Sequence, residues 1–71
     1  MSNILYIELE NSEVSLQGFP LLEGQFFDGG EEEDGGDSYF CYVDLGEKSE
    51  TTVAQEQYLN TQPCVISYGV K

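Results

Sequence analysis

Two lysines, Lys48 and Lys71, stand against fourteen carboxylates in a chain that has no histidine. That imbalance sets the first condition on any fold. A buried carboxylate needs a partner, and an unpaired charge stays in contact with water. Almost every Asp and Glu therefore marks a position that faces out, and the core has to come from the stretches between them. At 71 residues one core can be built, but it is marginal. Leu5, Ile7, Leu9, Phe26, Phe27, Tyr39, Phe40, Tyr42, Val43, Val65, Ile66 and Tyr68 supply enough apolar surface for one sheet face. Acidic chains that stay disordered lack such aromatic and β-branched residues, so a single folded domain over residues 1–71 is expected.

Periodicity places the elements. In "NILYIELE" (3–10), Leu5, Ile7 and Leu9 fall on one face and Tyr6, Glu8 and Glu10 on the other, the period of a half-buried strand. "EVSLQ" (13–17) alternates again, which predicts an N-terminal hairpin turning at Glu10–Glu13. "LLEGQFFD" (21–28) reads as a short strand interrupted by Gly24. "SYFCYVDL" (38–45) is the strongest strand, with Tyr39, Cys41, Val43 and Leu45 on one face and Phe40, Tyr42 and Asp44 on the other. Residues 49–62 carry the one helix, expected at about 50–61, with Ser49 as N-cap and Glu47 and Glu50 near its positive end. Pro63 stops it and pushes Gln62 to an extended conformation. "CVISYGV" (64–70) is a last strand, with Cys64, Ile66, Tyr68 and Val70 sharing a face. The expected class is α+β: a mainly antiparallel sheet of four to five strands with the helix packed on it.

Between these elements lies "DGGEEEDGGD" (28–37), six carboxylates and four glycines. It reads as a solvated loop, with residues 29–36 the most mobile part of the chain. A calcium loop of the EF-hand type does not fit. With Gly35 at the sixth position the first is Gly30 and the twelfth Cys41; with Gly36 there, the fifth is Gly35 and the twelfth Tyr42. No metal and no cofactor is expected. Cys41 and Cys64 form no C-x-x-C, so zinc and iron–sulfur sites are not expected either. Both read as buried thiols, though on neighbouring strands they could pair under oxidising conditions.

Catalytic chemistry finds no support. Without histidine or arginine, a G-x-S-x-G elbow or a phosphate-binding glycine loop with its lysine, the expectation is that the chain is not an enzyme. The N-terminus has neither a basic segment nor a long apolar run, and no stretch is long enough to span a bilayer, so a cytoplasmic protein is expected. A net charge of −12 repels nucleic acid and anionic membranes and attracts basic proteins. Glu8, Glu10, Glu13, Glu23, Asp44, Glu47, Glu50 and Glu56 spread the same sign along the whole chain. Self-repulsion on that scale destabilises a fold unless something offsets it.

A geometric match suggests what does. Alternate side chains along a strand lie roughly 6.6–6.8 Å apart, comparable to successive phosphates on one DNA strand, whose axial rise of about 3.4 Å is extended by the winding. Carboxylates such as Glu8 and Glu10 can then stand in for neighbouring phosphates. In size, charge and α+β pattern the chain resembles small acidic phage-encoded DNA-mimic inhibitors, the anti-CRISPR proteins directed at type I surveillance complexes among them. The resemblance rests on the acidic stretches and implies binding to a basic DNA-binding protein or Cas subunit and blockade of recognition of the protospacer-adjacent motif or target; a monomer is expected. The candidate partner-binding residues are Glu8, Glu10, Asp28, Glu31, Glu32, Glu33, Asp34, Asp37, Asp44 and Glu47. The alternative from another class is a small acidic cation-binding or structural interaction module without DNA mimicry.

Overall fold

The alternating segment at the start of the chain becomes the middle of the sheet. β1 (Ile4–Leu9) buries Leu5, Ile7 and Leu9 and turns Ile4, Tyr6 and Glu8 to the opposite face. The structure, a computed structural model, describes residues 3–10, 16–32 and 38–71. Within them, β2 (Phe26–Glu32), β3 (Tyr39–Asp44) and β4 (Val65–Val70) join β1 in one antiparallel sheet of order β2-β3-β1-β4. One helix, α1 (Val53–Thr61), connects β3 to β4. The α+β class expected from the sequence is the one observed.

β1 pairs with β3 on one side (Leu5↔Val43, Ile7↔Cys41, Leu9↔Tyr39) and with β4 on the other (Leu5↔Val70, Ile7↔Tyr68, Leu9↔Val65). β1 therefore has no edge left for the second strand of the expected N-terminal hairpin. Both edges of β1 are taken, and Leu16 leaves the sheet to enter the core. Residues 11–15, the turn and most of the second expected strand, lie outside the described residues.

The core forms on one face only. Leu5, Ile7, Leu9 and Val43 from the sheet meet Leu16 and Phe19 from the β1–β2 connection, Leu45 after β3 and Leu59 of α1. Phe19 closes it at the rim, its ring 5.5 Å from Tyr58 edge-on and 5.9 Å from Phe27. Phe26 and Phe27 are 50% and 41% exposed rather than buried, because β2 is an edge strand. In β4 the register slips between Glu8 and Leu9, so Glu8 faces Ser67 while Leu9 faces Val65. Ile66 is the extra residue of that bulge, and it is thrown outward. The alternation expected from Cys64 through Val70 thus breaks at Ile66, which is 54% exposed while Val65 packs on the core.

The helix begins three residues later than Ser49. Thr52 Oγ1 accepts from Gln55 N (3.1 Å) and Gln55 Oε1 accepts from Thr52 N (3.0 Å), a reciprocal capping box. Glu47 and Glu50 precede the helix, and the acid in its first turn is Glu56. Its end follows expectation: Gln62, before Pro63, has φ −90 and ψ 114. Gln55 is fully buried, and its Nε2 donates to Gln25 Oε1 (2.8 Å) and to Pro20 O (3.0 Å). Gln25 Nε2 in turn donates to Leu45 O (3.3 Å). Two side-chain amides thereby tie the helix, the β1–β2 connection and the end of β3 into one unit.

Candidate binding face

Four carboxylates, Glu8, Asp28, Glu31 and Asp44, meet on the second face of the sheet. α1 and the β1–β2 connection lie on the core side, and among the described residues no helix or strand covers the opposite face. Pairing register arranges its side chains in rows across the strands. One row runs Ser67–Glu8–Phe40–Glu31, the next Gly69–Tyr6–Tyr42, and the third Ile4–Asp44–Phe26. Within a row an aromatic or small residue separates the carboxylates. Glu8 and Glu31 are two strands apart, roughly 9.5 Å at the usual strand spacing, with Phe40 between them. That alternation keeps like charges from standing directly opposite one another, which would be destabilising.

Asp28 joins this face through a bulge. The β2–β3 register shifts between Phe27 and Gly30, and Gly29 there has φ 99, a conformation L-residues rarely adopt. Gly30 is required for a different reason. A Cβ on it would fall 2.5 Å from the Tyr39 hydroxyl and 2.6 Å from Phe40 O. The first glycine pair of the acidic stretch is thus part of a paired, bulged strand rather than of a loop, and only residues 33–37 of that stretch lie outside the described residues. Asp28, Ile4, Tyr6 and Tyr42 line an open hollow of about 330 Å³. Asp28 is exposed and Glu31 is exposed.

Hydrogen bonds fix the face. The Tyr42 hydroxyl donates to Glu31 Oε1, and Ser67 Oγ donates to Glu8 Oε1 at 3.0 Å. Asp44 Oδ1 accepts from Gly46 N at 2.7 Å, which closes the turn after β3. The bond to Glu31, then partial desolvation and the negative charge of Glu31, push the Tyr42 phenol up to about 12. Tyr6 meets Tyr42 edge-on with ring centroids 4.9 Å apart, and Lys71 Nζ sits 5.1 Å from the centre of the Tyr6 ring.

Of the candidate partner-binding residues, Glu8, Asp28, Glu31 and Asp44 come together on this face. Glu10 does not extend the Glu8 row, because β1 ends at Leu9 and Glu10 lies exposed in the bend beyond it. The i, i+2 carboxylate row along one strand is therefore replaced by a lattice across strands. Glu47 sits in the turn after β3, beside a separate hollow near Leu22 and Lys48. Glu32 ends β2 opposite Tyr39, and Glu33, Asp34 and Asp37 are outside the described residues. What sequence reasoning missed is the aromatic part. Tyr6, Phe40 and Tyr42 share the face with the acids, and the alternation that put Tyr6 with Glu8 and Tyr42 with Asp44 carried the signal.

Cys41 and Cys64 are free and half-buried. Cys41 stands on β3 and Cys64 just before β4, with β1 between the two strands. Two strand spacings, roughly 9.5 Å, exceed the ~7 Å between α-carbons that a disulfide tolerates. Burial also pushes the Cys41 thiol up. Among the described residues no helix is long and apolar enough to cross a membrane. Comparison of the chain with protein-family models, with curated proteins and with solved structures finds no match.

Proposed function

We propose that the protein is an inhibitor that lays this sheet face on a basic nucleic-acid-binding surface of a defence protein and keeps DNA from it by charge mimicry, as an anti-CRISPR acting on a type I surveillance complex would. One observation carries the reading. Glu8, Asp28, Glu31 and Asp44 are gathered on one face, which no described helix or strand covers, in a chain whose net charge is −12. Lysine and arginine side chains are long and flexible enough to follow a carboxylate lattice that is not spaced like a phosphate row. The protein performs no chemical step in this reading; it occupies a surface.

Competition tests it. A basic Cas subunit or surveillance complex titrated with the protein should lose its DNA, and the protein's own binding should weaken steeply with salt, as phosphate contacts do. Glu8→Lys with Glu31→Lys should weaken binding mainly through a slower on-rate, since exposed charges act on encounter. A stable ternary complex of protein, target and DNA at saturating concentrations would rule the reading out and favour an acidic structural module.

A further inference from the structure

We infer that the hollow between Tyr6, Tyr42 and Asp28 receives an arginine side chain of the partner; this rests on the reading above and names what the face recognises. The walls of the hollow are two aromatic rings set at 84° to each other, with Ile4 beside them and the Asp28 carboxylate at the rim. The rings are held in place before any partner arrives, Tyr42 by its bond to Glu31 and Tyr6 by its edge contact with Tyr42. The chain supplies its own demonstration of what such a ring attracts, since the Lys71 ammonium lies over Tyr6 at 5.1 Å.

The chemistry selects the occupant. Sheet faces bearing aromatics often stack nucleic-acid bases, but here the rings are interleaved with Glu8, Asp28, Glu31 and Asp44, which repel the phosphates that accompany every base. A second copy of this chain would bring another −12 onto a surface of the same sign. A basic protein meets neither obstacle. Between its two cations, arginine fits better. A planar guanidinium can lie on one ring and still offer two parallel N–H donors to a carboxylate, whereas an ammonium is a point charge that keeps its water.

The test uses the full chain and two blocked peptides of equal charge, one alternating arginine with glycine, the other lysine with glycine. Followed by NMR, the ring resonances of Tyr6 and Tyr42 should move saturably with the arginine peptide. That peptide should bind at least about 2-fold more tightly than its lysine counterpart, because only a guanidinium stacks on a ring while forking to a carboxylate. Asp28→Asn, on an exposed bulge where folding is not at stake, should lower arginine-peptide affinity by a similar factor, and Tyr6→Leu should erase the preference. Equal affinities with unmoved rings, or a silent Asp28→Asn, would overturn the inference. The two proposals fail separately. If DNA competition fails while the arginine preference holds, the face reads arginine but the mimicry is lost. If DNA is displaced while arginine and lysine peptides bind alike, the mimicry stands and the arginine cradle falls.

Discussion

Gln55 is the residue on which most of the tertiary structure converges. It is fully buried, and it caps its own helix while bonding Pro20 O and Gln25. Replacing it with leucine keeps the volume but leaves Pro20 O and Thr52 N short of a partner, while Gln25 Oε1 keeps only its bond from Leu22 N. Each unsatisfied buried group costs about 1–3 kcal/mol, so Gln55→Leu should lower stability by at least that much in urea unfolding. Gln57→Leu, on the exposed side of the same helix, should stay within about 0.5 kcal/mol. The sequence held this information as Thr52-x-x-Gln55, the capping-box signature. Ser49 competed with it because local spacing does not reveal which glutamine will be buried, and the partner Gln25 lies thirty residues away.

The Tyr42 hydroxyl is a second polar group that the fold holds in place. Its phenol is pushed up to about 12, first by the bond it donates to Glu31, against about 10 for free tyrosine. The folded state therefore holds this proton more tightly than the unfolded one does. The contribution is fully present below about pH 10 and is lost as pH rises through about 12. Phenolate absorbance should show Tyr42 titrating late, beside Tyr58, whose phenol burial also pushes up, and Glu31→Gln should bring Tyr42 alone back toward the ordinary range. An unchanged titration in that variant would break the link between the Tyr42–Glu31 bond and the shape of the binding face.

At the scale of elements, β2 shows what alternation alone could not say. The sequence "FFDGGEE" looks like the end of a strand running into a loop, because two glycines and three acids oppose ordinary strand propensity. The strand persists because Gly29 takes the positive φ of a bulge and Gly30 leaves room for the Tyr39 hydroxyl. Gly30→Ala must displace both the Tyr39 ring and the backbone of β3 at Phe40, an overpacking that costs about 1–3 kcal/mol. Gly69→Ala meets nothing within 4 Å and has no positive φ, so its thermal midpoint should hold or rise slightly. Equal destabilisation by the two alanines would mean that β2 is not packed as described. The same limit hid the topology: β1, β3 and β4 were legible as strands from their periodicity, but which edges pair is decided by contacts between residues such as Leu9 and Val65, far apart in sequence.

The charge belongs to the entire molecule, and it was fully legible in the sequence, whereas the meeting of Glu8, Asp28, Glu31 and Asp44 on one face needed the register. The molecule measures 33 × 26 × 17 Å. At about 10 mM salt the Debye length is ~30 Å, so every carboxylate feels nearly every other; at about 500 mM it shrinks to ~4 Å and only immediate neighbours interact. With a net charge of −12 confined to that volume, the unfolded chain escapes repulsion that the folded one retains. The melting temperature should therefore climb across this salt range. The face adds a sharper form of the test. Glu8→Gln with Glu31→Gln keeps acceptors for Ser67 and Tyr42 while removing two charges, so it should stabilise the fold at low salt, with the gain fading at high salt. That pair of variants should at the same time bind a basic target less well. Stability gained and binding lost by the same two substitutions would show that the carboxylates are held on this face against the fold's own interest. A melting temperature flat or falling with salt, or a double variant no more stable than the natural chain at low salt, would show instead that the lattice of aromatics and acids already relieves the repulsion by itself.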